Sequence, residues 1–177
     1  MKKQHMPKSW FYSMVIIMGT LVILSYMVLL PRVNTQKDIN ALWFGIRGHL
    51  RYFYYVSIGI SAIAFVINTI WLLMNPIHLH KMWMPYFVFL IGAIGWSMTL
   101  WFWGNYTSRH YFVWNIVLKV FVVLALVVTS VGACGMLYQA IRNRFNTWII
   151  MMYAYICFHV IVLDNIGWTI HFLTSSY

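Results

Sequence analysis

Long apolar runs, separated by short polar stretches, set the pattern of hydrophobic and polar positions along this chain. A helical run of about 20 apolar residues is long enough to cross the hydrocarbon core of a bilayer. Such runs are expected to be helices, because a chain in lipid must pair its own backbone groups. The pattern predicts an all-α integral membrane protein with five transmembrane helices, at residues 10–30, 52–74, 83–103, 113–138 and 148–173.

The chain is predicted to form a single membrane domain over residues 1–177, because its length leaves no room for a sizeable soluble domain beside the spans. The first span follows three lysines, as the core of a signal peptide would. It is too long for such a core and no A-x-A-like cleavage site follows it, so it is expected to remain as the first helix.

The connection from residue 31 to residue 51 is longer than the others and has a pattern of its own. Asp38 is a candidate helix cap. Apolar residues then recur at helical spacing, at Ile39, Leu42, Trp43, Ile46 and Leu50. This stripe lies opposite Lys37, Arg47 and Arg51, which predicts a short amphipathic helix on the membrane surface between the first and second spans. The alternative is a lid folded over the mouth of a cavity.

Composition excludes the soluble classes. Hydrophobic residues make up 63% of the chain and charged residues 8%, with a mean hydropathy of +0.76. An ordinary soluble domain is about half apolar and about a quarter charged, so this chain has too little polar surface to cover a globule in water. Disorder is excluded as well, because disordered chains are poor in aromatic residues and 19% of these residues are aromatic.

The charge balance is strongly positive, with 12 Lys and Arg against two acidic residues and a formal net charge of +10. The basic residues lie between the apolar runs rather than in one patch. Anionic lipid headgroups are therefore the expected partner, and nucleic acid is not. With the N-terminus inside, six basic residues would fall on the inner side and five on the outer side, which predicts no orientation.

Asp164 is the one acidic residue inside a predicted span, and Lys119 is the one basic residue. Because the fourth and fifth spans run antiparallel, both residues lie roughly 9–13 Å below the same surface. A charge at the bilayer centre costs roughly 2.5–3.5 kcal/mol, so it normally faces the bundle interior and takes a partner. The two are expected to form an ion pair, which either fixes helix packing or belongs to a ligand or proton pathway. A neutral Asp164 is the alternative, because burial favours the uncharged acid.

One face of the fifth span combines polar and aromatic side chains. Its members, at spacings of seven, four and three residues, are Cys157, Asp164, Trp168 and His171. Asn165 borders this face, whereas His159 is predicted to point elsewhere. Trp96 and Trp168 lie deeper than the other tryptophans and are either packing residues or the sides of a cavity. The predicted ligand-binding residues are Asp164, Asn165, Trp168, His171, Trp96 and Trp101.

The sequence offers little for a metal, haem or catalytic centre. The two cysteines, Cys134 and Cys157, have no CxxC spacing, and the fifth span supplies too few ligands for a metal ion. No second span carries a deeply placed histidine for a bis-His haem. The sequence lacks a nucleophile elbow, a phosphate loop, an HExxH motif and paired carboxylates. It therefore gives little support for an enzyme and does not identify a cofactor.

Small residues recur in the third and fourth spans, where they permit close helix contact. They are Gly92, Gly95, Thr129, Gly132, Ala133 and Gly135. Packing inside the bundle is the preferred interpretation, and homodimerisation is the alternative.

Two segments resemble the translocator protein family, also called tryptophan-rich sensory proteins. In the third span these are residues 90–96, ending at Trp96, and then Trp101 to Gly104. In the fifth span the matching positions are Tyr153, Phe158, Leu163, Asp164, Asn165 and Trp168. The family's Trp-x-Pro-Pro in the first loop, its helix-three Asn and the Pro before Tyr153 are missing here. The resemblance implies five helices with a long first loop, and a pocket for porphyrins, sterols or similar planar apolar ligands.

Two functions fit these features. The first is a small-molecule binding or transport protein, with a hydrophobic ligand held inside the helix bundle, because a lone intramembrane acid is a functional-site hypothesis by default. The second is a structural or assembly subunit, with partner chains or a second copy of itself in the membrane and no site of its own. Five helices with short loops suit that function equally well.

Overall fold

The structure is a computed structural model, and it describes residues 8–29, 46, 48–106 and 112–174. Its helices are α1 (Lys8–Leu29), α2 (Gly48–Met74), α3 (Leu79–Tyr106), α4 (Phe112–Arg142), α5 (Thr147–Phe158) and α6 (Thr169–Thr174). A 3₁₀ turn, Pro76–His78, leads into α3, and a π-helical segment, His159–Trp168, joins α5 to α6. We call α5, the π-helical segment and α6 together the C-terminal helix. Since no strand occurs among the described residues, the all-α class is confirmed for them.

Four helical stretches are long and apolar enough to cross a membrane. They are Gly48–Met74, Pro76–Met98, Lys119–Arg142 and Thr147–His171. This finding supports an integral multi-pass membrane protein and matches the second to fifth predicted spans. The first predicted span corresponds to α1, in which the apolar stretch Lys8–Leu24 is shorter than the other four. By length and apolar composition, the described helices give four spans instead of the predicted five.

The predicted surface helix at residues 39–50 lies mostly outside the described residues. Its last residues belong to α2, which begins at Gly48 rather than at Tyr52 as predicted. Gly48 has a φ of 61°, a left-handed conformation that glycine adopts without a steric penalty. Just before it, the buried Ile46 accepts two hydrogen bonds at its carbonyl from the Arg51 guanidinium, at 3.0 and 2.8 Å. These contacts fix the entry into α2.

The order of the helices in space differs from their order along the chain. The most extensive contact joins α3 and α4, α1 packs on α3, and the C-terminal helix packs on α4. The main partner of α2 is the C-terminal helix. One hydrophobic core takes side chains from every span, among them Phe11, Leu72, Tyr86, Met136 and Tyr153.

Glycines bring α3 and α4 into backbone contact. A Cβ added at Gly132 would lie 2.7 Å from the Cβ of Phe89, and one added at Gly92 would lie 2.8 Å from the Cα of Thr129. Real Cβ atoms do not approach other atoms this closely. The predicted close contact through small residues is therefore confirmed at Gly92 and Gly132, and it lies inside the bundle.

The turn between α4 and α5 is closed by backbone hydrogen bonds. The N–H of Phe145 donates to the carbonyl of Ala140 at 3.0 Å, and the N–H of Arg144 donates to that of Ile141 at 3.0 Å. This is the Schellman arrangement, and Arg144 takes its left-handed position with a φ of 53°. The Asn146 side chain then accepts from Trp148 N–H at 3.0 Å and caps α5.

Candidate functional site

The π-helical segment contains Asp164 and sets its surroundings. In such a segment each N–H bonds the carbonyl five residues earlier, so residues five apart lie on nearly the same face. At its end, the N–H of Thr169 donates to the carbonyl of Asp164. As a result His159 Nε2 lies 3.6 Å from Asp164 Oδ2. The prediction that His159 points away from Asp164 is wrong, because it assumed regular α-helical spacing through this segment.

His159 links this acid to α2. Its Nδ1 lies 2.8 Å from the hydroxyl of Ser57, and that hydroxyl lies 3.0 Å from the hydroxyl of Tyr155. Ser57 and His159 are both buried. Tyr155, Ser57, His159 and Asp164 thus form a continuous row of polar groups between α2 and the C-terminal helix, which we call the polar chain. The His159–Asp164 contact is an ion pair only when the imidazole is protonated and the carboxyl is ionised.

Tyr54 supports the π-helical segment from α2. Its hydroxyl donates to the carbonyl of Leu163 at 2.8 Å, inside the protein. The same hydroxyl occupies the space in which Gly167 would otherwise carry a Cβ. The glycine therefore lets Tyr54 reach the backbone of this segment.

Two predicted site residues, Trp96 and Trp168, are in contact. Their ring centroids lie 6.2 Å apart with the planes at 77°, a favourable edge-to-face arrangement. Trp168 is buried and belongs to the same π-helical segment as Asp164. The pair places an aromatic surface one turn away from the acid.

Asn165 faces α4 instead. Its amide nitrogen donates to the carbonyl of Leu126 at 3.0 Å and also contacts the hydroxyl of Ser130. An amide bonded in this way fixes the position of the C-terminal helix on α4. Its role in ligand binding stays a prediction.

The remaining predicted residues lie further along the two helices. His171 is half-buried in α6 and Lys119 is half-buried in α4. The pairing of Lys119 with Asp164 stays a prediction. Trp101 belongs to α3, and its side chain lies outside those that the structure describes.

A second polar cluster lies towards the C-terminal end of α2. The Tyr86 and Tyr153 hydroxyls are 2.9 Å apart, and the Thr69 hydroxyl lies 3.4 Å from Tyr86. Next to Thr69, Asn68 is fully buried, and neither end of its amide has a hydrogen-bond partner among the described residues. The same holds for the Ser61 hydroxyl. A buried polar group without a partner costs about 1–3 kcal/mol, which a bound water or a ligand group would recover.

Sequence reasoning missed the α2 side of the site. Ser57, Ser61 and Asn68 recur at spacings of four and seven residues, so they share one face of α2. Hydroxyls and an amide on one face of an otherwise apolar span are the signal that would have found it.

The two cysteines, Cys134 and Cys157, share no sequence motif, but they are neighbours across the α4–α5 contact. Their sulfur atoms lie 3.5 Å apart, and neither is in a disulfide. Among the described residues, no three His, Cys, Asp or Glu side chains are grouped so that they could hold a metal ion.

Comparisons of the chain with protein-family models, with curated proteins and with solved structures found no match. The function is therefore inferred from the contacts of this chain alone.

Proposed function

We propose that the protein binds or transports a small hydrophobic ligand inside its helix bundle, and that the polar chain holds a polar group of that ligand. The observation that carries this proposal is the contact of Asp164 with His159 in the interior of a predicted membrane span. An ionisable side chain at this depth is expensive, and a use in binding or transport is the default explanation for keeping it.

Three further features support this site. π-Helical segments are rare and frequently occur at functional sites. The Trp96–Trp168 pair offers an aromatic surface beside the acid. On α2, the hydroxyl of Ser61, one turn from Ser57 of the polar chain, is buried and has no partner among the described residues. Apolar surroundings with a few polar groups are the usual composition of a ligand site.

The wider arrangement in the membrane is part of the proposal. We place α1 in the bilayer as a fifth span, because it packs on α3 and carries no charged residue after Lys8. The predicted amphipathic helix at the membrane surface, between the first and second spans, stays part of this proposal. Together with the resemblance to the translocator family, this arrangement favours planar apolar ligands such as porphyrins or sterols.

A cysteine placed in the site tests the proposal. In a Cys134→Ala, Cys157→Ala background, Trp168→Cys should react with a membrane-permeant maleimide, and protoporphyrin IX, as a planar apolar probe, should slow that reaction. Ile166→Cys is the matched control, because Ile166 belongs to the same segment and is exposed on the outer surface. Its labelling should not change with the probe.

The opposite result favours the second function. If Trp168→Cys stays unlabelled and the probe has no effect, this region is a sealed helix contact. The protein would then be a structural or assembly subunit, and purification without its partner chains should leave it aggregated.

A further inference from the structure

A cationic cavity of about 400 Å³ lies where α3 begins and α4 ends. His80 and Lys81 of the first turn of α3 line one side, and Gln139, Arg142 and Asn143 line the other. Its volume falls in the range of about 300–1,000 Å³ that is typical of small-molecule sites. This cavity is separate from the polar chain, whose members lie eight residues or more along the helices from these ends.

The charge in this cavity is not balanced by acidic side chains. Lys81 and Arg142 both line it, and the whole chain contains only two acidic residues, Asp38 and Asp164. Asp164 lies 17 residues beyond the start of α5, about 25 Å along the helix from this end. Two cations facing one cavity, with no carboxylate of the described residues near them, create a site that attracts an anion.

Asn143 positions one of the two cations, Lys81. Its side-chain oxygen accepts a hydrogen bond from the Lys81 ammonium, and its side-chain nitrogen donates to the backbone carbonyl of Gln139 at 2.6 Å. Since an ammonium has three N–H groups, Lys81 keeps donors for a ligand. Asn143 itself is held by the closed turn at Arg144. The lining side chains of Lys81, Gln139 and Asn143 are thus joined by hydrogen bonds, although Lys81 itself is exposed.

Arg142 contributes the second cation. One of its terminal nitrogens lies 3.4 Å from the hydroxyl of Tyr138, one turn earlier on α4. The guanidinium has five N–H donors in a planar fork, and this geometry matches the oxygens of a phosphate group. An ammonium and a guanidinium across one cavity are therefore suited to phosphate, with the Gln139 amide as a neutral donor.

The cavity lies at the ends of two membrane-spanning helices, where lipid phosphates are expected. Lys81 is the third residue of α3 and Arg142 is the last residue of α4, so both lie at helix ends. Trp148, exposed at the start of α5, marks the same end as an interfacial tryptophan. We propose that this cavity binds a phosphate ester, with Lys81 and Arg142 as its cationic ligands. The phosphate comes either from the headgroup of an anionic phospholipid or from a soluble phosphate compound.

Binding of dihexanoyl phosphatidic acid to the full chain in a neutral detergent tests this proposal, with dihexanoyl phosphatidylcholine as the zwitterionic comparison. The native chain should prefer the phosphatidic acid. The variant Lys81→Gln, Arg142→Gln should bind it roughly 30-fold more weakly, since each direct hydrogen-bonded contact with the phosphate contributes about a factor of five.

Lys8→Gln, Arg144→Asn is the matched control. It removes two charges at the same end of the bundle without touching the cavity lining, and asparagine tolerates the left-handed conformation at position 144. Lys8 lies at this end because Phe11, in the first turn of α1, contacts Tyr86 near the start of α3. Its affinity for phosphatidic acid should stay within about twofold of the native value, because a surface ammonium outside the site adds little.

A charge-conserving variant, Lys81→Arg, Arg142→Lys, tests whether lost binding comes from misfolding. It should retain the preference for phosphatidic acid. Glycerol 3-phosphate and inorganic phosphate, added as competitors, distinguish the two sources: competition at millimolar concentration indicates a soluble phosphate compound, and its absence indicates a lipid headgroup. Equal loss of binding in the cavity variant and the matched control would overturn the proposal, as would a native chain that shows no preference for phosphatidic acid.

Discussion

The imidazole of His159 lies 3.6 Å from the carboxylate of Asp164, one π-helical turn further along the same helix. The acid therefore has a basic neighbour without any contribution from another span. The same imidazole also forms a hydrogen bond with Ser57 on α2. A change in its protonation therefore affects hydrogen bonding both to α2 and within the C-terminal helix.

The His159–Asp164 contact should appear as an energetic coupling. We expect the cycle of His159→Gln, Asp164→Asn and the double variant to show a coupling of about 0.5–3 kcal/mol in unfolding free energy, as for other residues in direct contact. The measurement is reversible unfolding in mixed detergent micelles. A parallel cycle with Lys119→Met tests the predicted pairing of Lys119 with Asp164. Additive effects in either cycle would show that the two residues in question are not coupled.

The backbone contact between α3 and α4 should tolerate no added methyl group. We expect Gly132→Ala and Gly92→Ala each to destabilise the protein by about 1–3 kcal/mol, because the new Cβ overlaps Phe89 or the backbone of Thr129. Gly59→Ala is the control, since no atom lies within 4 Å of its added Cβ. Its stability should be unchanged or slightly raised. A thermal unfolding series in one detergent checks all three, and equal effects would argue against the described α3–α4 contact.

The effects of substitutions at Tyr54 and Gly167 on stability should depend on each other. Gly167→Ala is expected to destabilise the native chain by about 1–3 kcal/mol, because the added methyl group displaces the Tyr54 hydroxyl. In a Tyr54→Phe background the same change should cost less, since the hydroxyl is already gone. Tyr54→Phe alone should cost about 0.5–1.5 kcal/mol for its lost hydrogen bond to Leu163. Tyr52→Phe, at an exposed position, is the matched control with no expected effect.

The two cysteines should cross-link within one chain. With sulfur atoms 3.5 Å apart, a small shift brings Cys134 and Cys157 to bonding distance. Treatment with diamide, an azo oxidant that is reduced to the hydrazine, should remove one hydrogen from each thiol and form the disulfide. The check is intact-mass spectrometry together with loss of maleimide labelling. Cys157→Ala should instead keep one reactive thiol after the same treatment, whereas two reactive thiols in the oxidised native chain would contradict the α4–α5 register.

The spans could be predicted because length and hydropathy are properties of a continuous segment. The close helix contact at the glycines at 92 and 132 could be predicted because small residues have few other uses in a span. The contact of His159 with Asp164 could not be predicted, because 3.6 residues per turn would put the two side chains on different faces of the helix. Nothing in the residues from His159 to Trp168 signals the change of helix type by itself. The segment is contacted by Tyr54 at the carbonyl of Leu163 and at Gly167, and these contacts join residues more than a hundred positions apart.

The packing of Gly132 against Phe89 also limits how this protein changes shape. Helices that touch through their backbones have no intervening side chains whose rotamers absorb a sliding movement, so α3 and α4 behave as one rigid body. Any alternation between two states of the bundle must then take place where side chains separate the helices. That condition is met between α2 and the C-terminal helix, at the row of hydroxyl and imidazole groups that ends at Asp164.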